Sequence, residues 1–326
     1  MTQLTAKLKP RCVGRFLIYL PADALTSGNT KIHGVRVEAQ AMSQIAYQAA
    51  MDARSVELKA TKSSLGYRFL YADGEIEGVK GSRYFISLRH ADDPSDGRRV
   101  IKAYKWDRGY QIELQIEGFD DTHSIYKDTP SYKMNPVKTD VREKMSRVVS
   151  ILDRARGRAD DDIPTEPGLC FLGGFLPGKA TAEEEISVSF LLHDMHDVGF
   201  RLDTDSSISE PTTLLQRGSD IEASLKASDG RTIRKGRVDL HGMQAEEWLT
   251  EGLTPAKARG HYFVLEANSK IGSALTPLVR LDIDNGGRLP SIDGDRKLTQ
   301  ASLSEGEAIA LWDAVSRTLR PRPNAF

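Results

Sequence analysis

Apolar and polar residues follow two periods along this chain, and these set the expected elements. Residues 12–20, CVGRFLIYL, read as one strand ending at Pro21. Lys31–Glu38 alternates, with Ile32, Val35 and Val37 against polar neighbours and Gly34 interrupting. From Ala41 to Lys62 the period becomes helical: Met42, Ile45, Ala46, Ala49, Ala53 and Val56 share a face, so a helix is expected to bury that stripe. Strand-like runs follow at Tyr67–Tyr71, Tyr84–Arg89, Arg99–Trp106 and Tyr110–Glu117. Asp107-Arg108-Gly109 between the last two predicts a tight hairpin. A second helix is expected over Val137–Asp153, striped by Val137, Val141, Met145, Val148, Val149 and Leu152, with Asn135-Pro136 as its start signal.

Residues 154–168, RARGRADDDIPTEPG, are charged, carry two prolines and lack an apolar period. They read as a linker and divide the chain into expected domains 1–160 and 161–326. Beyond it, strands are expected at Cys170–Leu176, Ile186–Leu192 and Gly199–Asp203, then a helix over Thr212–Lys226. A strand at Thr232–Leu240 leads into a short helix, Met243–Thr250, and further strands follow at His261–Glu266 and Leu278–Asp284. The final helix, Leu303–Leu319, opens with the capping box Ser304-x-x-Glu307 and stripes Ala308, Leu311, Trp312, Val315 and Leu319. Most intervals between strands are too short for parallel crossovers. The expected class is therefore α+β: two related domains, each a mostly antiparallel sheet packed with helices.

Composition narrows the function. Lys and Arg total 45 against 46 Asp and Glu, and the sequence pI is near 6.7. No basic stripe stands out, so a nucleic-acid partner is not expected. No apolar run reaches the length of a membrane span, so no transmembrane segment is expected. The N-terminal MTQLTAKLKPR lacks the apolar core of a leader peptide, which fits a cytoplasmic protein or a mature form whose leader has been removed.

Catalytic signatures such as G-x-S-x-G, a phosphate-binding loop or H-E-x-x-H are missing from the sequence, so no catalytic residue and no cofactor is assigned. His193 and His196, beside Asp194 and Asp197, have metal-like spacing but fall where a turn is expected. Residues 282–293, DIDNGGRLPSID, mimic a calcium loop but place Gly286 where a side-chain oxygen is required, so they read as a glycine turn. No metal site is expected. Glu246 and Glu247 read as a solvated helix face, and His241 and His261 as structural or surface residues. The long loop 118–136 carries Tyr126, Tyr132 and Met134 among polar residues, as a protein-binding loop or a packed crossover does. Cys12 and Cys170 are the only cysteines. They fit either two buried thiols or one bridge, according to the redox compartment.

Both cysteines open similar phrases. Cys12-Val13-Gly14-Arg15 runs to Leu20-Pro21, and Cys170-Phe171 runs to Gly173-Gly174-Phe175. With Gly242-Met243-Gln244-Ala245-Glu246-Glu247-Trp248, these motifs resemble the lipase-immunity (Tli) proteins of bacterial type VI secretion. The resemblance implies a non-enzymatic immunity protein. Such a protein binds and inhibits a cognate phospholipase effector acting in the periplasm, and so protects the producing cell. It also implies a periplasmic home, where a Cys12–Cys170 bridge is expected. On this reading Tyr126, Tyr132 and Met134, with Trp106 and Tyr110 flanking the hairpin, are the expected partner contacts; no oligomeric state is implied. The alternatives are a two-domain enzyme acting on lipid or phosphoester substrates, and a cytosolic clamp-like regulatory binding protein.

Overall fold

The computed structural model describes residues 5–122, 124–287 and 298–326. In chain order its strands begin with β1 (Leu8–Val13), β2 (Phe16–Pro21), β3 (Leu25–Ile32) and β4 (Val35–Ala41), followed by helix α1 (Gln44–Ala60). Strands β5 (Leu70–Gly74), β6 (Ser82–Ser87), β7 (Arg98–Asp107) and β8 (Tyr110–Phe119) lead to helices α2 (Pro130–Met134) and α3 (Val141–Arg154). Then come β9 (Arg156–Gly157), β10 (Gly168–Phe171), β11 (Gly174–Pro177), β12 (Glu184–Leu192) and β13 (Met195–Asp205). A short 3-10 turn, Leu215–Arg217, runs into α4 (Gly218–Ala227). Strands β14 (Arg231–Leu240), β15 (Met243–Leu253), β16 (Arg259–Ala267) and β17 (Leu278–Asn285), helix α5 (Glu305–Ser316) and β18 (Arg320–Pro321) complete the chain. Among the described residues no helix is long and apolar enough to cross a membrane.

The chain forms two compact units: Met1–Thr30, Asp160–Leu172 and Gly178–Phe326 make the first, Lys31–Ala159 and Gly173–Pro177 the second. The strand pairs are antiparallel, and helices pack on the sheets, which is the α+β class.

In the first unit six strands run in the order β14-β15-β16-β17-β13-β12. Strand β17 shows why they form a one-sided core: Val279, Leu281, Ile283 and Asn285 are buried, while Arg280, Asp282 and Asp284 alternate with them. Helix α5 buries Ala308, Leu311, Trp312 and Val315 of its expected stripe; Leu319 is buried too, but beyond the helix, which ends at Ser316. Its Ser304–Glu307 capping box is formed, and Trp312 meets Phe263 edge to face at 6.0 Å.

Several expectations fail. Lys31–Glu38 is not one strand, because His33 and Gly34, both at positive φ, turn the chain between β3 and β4, and Cys170–Leu176 is likewise divided into β10 and β11 by Gly173 (φ +70). The helix expected over Thr212–Lys226 begins only at Gly218, after the 3-10 turn. Residues 12–20 are two strands, because Gly14 (φ +56) turns the chain between β1 and β2. A side chain there would meet Thr204 Oγ1 at 2.9 Å as well as strain the backbone. The expected helix Met243–Thr250 is strand β15, paired with β14 on one side and β16 on the other. His241 and Gly242, both at positive φ, reverse the chain just before it. Met243, Ala245, Glu247 and Leu249 then point inward, so pairing overrides the helix propensity of Ala, Glu and Leu.

Around Cys12 the first unit is cross-tied. Cys12 and Cys170 form a disulfide with Cα atoms 5.8 Å apart. Gly14 and Cys170 exchange backbone hydrogen bonds of 2.9 and 2.8 Å. Buried Arg15 donates to both carboxylate oxygens of buried Glu184 at 2.8 Å, and to the carbonyls of Gly178, Lys179 and Ala325. Arg322 donates to the carbonyls of Pro164, Glu166 and Gly168, so part of the expected linker is held.

In the second unit the order is β4-β8-β7-β6-β5. Helix α3 covers the face of Ile101, Ala103, Ile112 and Leu114 with Val148, Ile151 and Leu152. It begins at Val141, because the Asp140 carboxylate accepts the Phe119 N–H; Asn135 instead ends α2, and Val137 is exposed. Helix α1 covers the opposite face, but not with the expected stripe. Tyr47, Met51 and Ser55 are buried, while Ile45 and Val56 are 84% and 69% exposed. The larger Tyr47 and Met51 fill the space beside Phe85 and Tyr104, and the Tyr47 hydroxyl donates to the Gly81 carbonyl at 2.9 Å.

Replacing Arg15 by Met strands the Glu184 carboxylate in the core, and is expected to cost about 3–5 kcal/mol. The double variant Arg15→Met, Glu184→Gln should recover much of that loss in urea unfolding. Equal losses in single and double variants would show that the charge pairing is not what matters.

Burial raises the Asp282 carboxyl to about 6, against only partial relief from Arg280. The folded state then holds more protons than the unfolded state between about pH 4 and 6, so this residue's contribution falls as pH rises through that window. Asp282→Asn is expected to be more stable than the parent by up to about 2–3 kcal/mol at pH 7, and not at pH 3.5. Unfolding midpoints that differ equally at both pH values would contradict this assignment.

Candidate protein-binding surface

The loop from β8 to α3 in the second unit is fixed by carboxylates. Buried Asp96 accepts the Ser124 hydroxyl at 2.9 Å and the Ile125 N–H at 2.7 Å. Buried Arg99 stacks on the Tyr71 ring at 3.3 Å and donates to the Asp96 carbonyl at 2.6 Å, which places Asp96 itself. Asp121 accepts the Tyr132 hydroxyl at 2.7 Å and the Thr139 hydroxyl. These hydrogen bonds, Thr139 first, hold the Asp121 carboxyl below its ordinary value. Thr129 caps α2 and donates its own hydroxyl to the Tyr126 carbonyl at 2.7 Å. The hydroxyls of Tyr126 and Tyr67 meet at 3.0 Å, and that bond pushes Tyr67 up to about 12.

A loop held this firmly still presents apolar side chains to solvent. Ile125 is 68% exposed and Met134 75% exposed, with Tyr126 and Val137 also exposed. Ser124, Thr129, Tyr132 and Thr139 spend their hydroxyls within this seat, while Ile125, Tyr126, Met134 and Val137 face outward beside exposed Lys127, Asp128 and Lys133. That arrangement lowers the ordering cost of binding and leaves area for a partner to cover.

Of the expected contacts, the structure gathers Tyr126, Tyr132 and Met134 on this loop, with the Tyr132 hydroxyl turned inward to Asp121. Trp106 and Tyr110 lie at the other end of β7 and β8, roughly 30 Å along the strands. The Trp106 indole donates to the Met42 carbonyl at 2.7 Å and packs on the Tyr47–Met51 cluster. Tyr110 packs close to Gly157, where an added Cβ would meet it at 3.0 Å. Ile125 and Val137 are exposed on the same loop though neither was among the expected contacts, Val137 having been expected in a helix stripe.

The other flagged residues take separate places. His193 sits in the turn between β12 and β13 and bonds Asp194 at 2.9 Å, which raises its pKa. Among the described residues no group of three or more His, Cys, Asp or Glu is placed to hold a metal ion. Asp282 and Asp284 lie on β17; the remainder of the calcium-like stretch, from residue 288, falls outside the described residues. Glu246 and Glu247 are not a solvated pair. Adjacent on a strand, they face opposite ways, and Glu247 is buried against Arg234 at 2.9 Å, Arg317 at 3.0 Å and the Trp312 indole at 3.1 Å. His261 is buried, bonded to the Asn285 amide at 2.8 Å, and burial lowers its pKa. His241 occupies the turn before β15.

Two family models match the sequence: the N-terminal domain of Tle cognate immunity protein 4 over residues 9–158, and its C-terminal domain over 162–324. No curated protein matches it. Among solved structures, a chain of the crystal structure of the Tle4–Tli4 complex is similar with TM-score 0.74 and 19% identity, over 98% of this chain and 99% of that one. The apo immunity protein TplEi of the type VI secretion system of Pseudomonas aeruginosa gives 0.71 at 20% identity, over 98% of each chain. TplEi complexed with "L" peptide gives 0.68 at 21%, over 98% and 99%.

Asp96→Ala removes both bonds that seat the start of the loop. Backbone amides of residues 124–137 are expected to exchange at least about tenfold faster, with the global unfolding midpoint changed far less. Tyr126→Ala, at an exposed position, should shift global stability by no more than about 0.5 kcal/mol. Unchanged exchange in Asp96→Ala would remove the claim that the loop is pre-set.

Proposed function

Because the chain belongs to the Tle cognate immunity protein 4 family, we propose that it binds a type VI lipase effector and holds it inactive. The observation that carries this reading is the loop seated by Asp96 and Asp121, which presents Ile125, Tyr126 and Met134 outward. An inhibitor needs no acid, base or nucleophile, only a rigid surface that fits one state of its target better than the other. Preferential binding to an inactive state shifts the lipase population by the ratio of the two affinities. A stable complex needs about 1,200–2,000 Å² of buried surface, more than one loop supplies, so both halves, 1–160 and 161–326, contribute as immunity domains.

The target we propose is a phospholipase acting in the periplasm, where the Cys12–Cys170 bridge persists. There it protects its producer from effectors injected by neighbouring cells. It turns over no substrate itself.

Titration of the purified chain into its cognate type VI lipase should bring ester hydrolysis to zero at one equivalent. Replacing Tyr126 and Met134 together by Ala should weaken inhibition by about 30-fold or more, the share of about 2 kcal/mol that a central anchor carries. Full hydrolysis at several-fold molar excess, with no complex on gel filtration, would reject the reading.

A further inference from the structure

The first unit carries a second surface that the long loop does not explain. A cavity of about 910 Å³ is lined by Phe16, Met243, Ala245 and Phe326, with Ile271 and Leu275 on the loop that joins β16 to β17. That loop is as firmly built as the one in the second unit. The Asn268 amide donates to the Pro277 carbonyl at 3.0 Å, Ser273 and Thr276 bond through hydroxyls and backbone, and the Ser209 hydroxyl donates to the Lys270 carbonyl at 3.1 Å. The Glu210 N–H donates to the Ser269 carbonyl at 2.6 Å. Yet Ile271 is 64% exposed and Leu275 69% exposed. A fixed loop holding two large aliphatic side chains in water beside an apolar hollow is a surface short of a partner.

Charge defines that partner. The cavity's two carboxylates are already engaged: Glu266 pairs with Arg217 and Arg280, and Glu246 accepts the Leu215 N–H at 2.8 Å with Arg237 at 3.7 Å. What is left over at the mouth is positive: the Lys270 ammonium has no carboxylate partner among the described residues, and Arg237, its side chain 82% exposed, meets Glu246 only at 3.7 Å, a carboxylate that also accepts the Leu215 N–H.

We propose that this cavity takes an apolar side chain from the lipase effector, on a segment that places carboxylates beside Lys270 and Arg237. The proposal rests on the immunity reading and adds to it a contact site in the first unit. A protein segment fits better than a free amphiphile: a chain inside the hollow leaves the outward faces of Ile271 and Leu275 wet, whereas a protein surface covers hollow and rim together.

Calorimetric titration of the full-length chain with the purified lipase, at 50 and 300 mM salt, tests it. Ile271→Asp with Leu275→Asp is expected to weaken binding at least about 100-fold. Lys270→Glu with Arg237→Glu should weaken it about tenfold at low salt and much less at high salt. Ile45→Asp, on the exposed face of α1, should bind as the parent does. Melting temperatures within about 2 °C of the parent certify the fold; if the aspartate pair fails this, Ile271→Ser with Leu275→Ser replaces it, with at least about tenfold weakening expected. Parent-like binding by the certified rim variants, while Tyr126→Ala with Met134→Ala binds weakly, would overturn this proposal and leave the immunity reading standing. Sodium oleate that binds at one equivalent while lipase binding is left unchanged would overturn the protein occupant. Failure of the parent to bind at all would overturn both.

Discussion

One guanidinium closes the first unit. Arg15 uses its five N–H groups on five acceptors: two oxygens of Glu184 and the carbonyls of Gly178, Lys179 and Ala325. These partners lie 163, 164, 169 and 310 residues away in sequence. A buried charge is tolerated only when its donors are fully matched, and the planar fork of arginine matches this cage where a lysine's three donors do not. Because Glu184 is the first residue of β12, the same contact anchors the start of the strand that pairs with β13, which in turn pairs with β17. The loop carrying Ile271 and Leu275 enters the last of these strands. The disulfide and the Gly14–Cys170 backbone pair reinforce one joint around this side chain.

Elements whose burial follows the commonest apolar period were legible. Helix α5 is the clearest, since its stripe, its cap and its burial coincide. The β7–β8 hairpin is another, because Arg108 and Gly109 both take positive φ at the turn, as Asp-Arg-Gly predicts. Legibility failed where two patterns competed. Helix α1 has apolar residues on two sides, and the aromatic side won because Tyr47 and Met51 fill more of the space between α1 and the sheet. Strand β15 hid its alternation behind an inward glutamate, which is stable there only because Arg234, Arg317 and Trp312 arrive from other elements. No local window contains those partners.

The candidate surfaces divide in the same way. The long loop announced itself by length and tyrosines. Which of its side chains face outward depended on Asp96 and Asp121, which read as ordinary loop residues until their partners are seen. The rim at Ile271 and Leu275 gave no signal, because a short polar connection with two aliphatics looks like any other. Its character comes from the hollow beside it, formed by residues as distant as Phe16 and Phe326.

The central claim is that pre-set apolar surfaces grip the lipase without refolding. Hydrogen exchange of the chain, alone and saturated with its lipase, tests this most directly. Slowed exchange confined to residues 124–137 and 268–277, with α5 and the six-stranded sheet unchanged, is the predicted result. Protection spread through the core, or none in either loop, would contradict it.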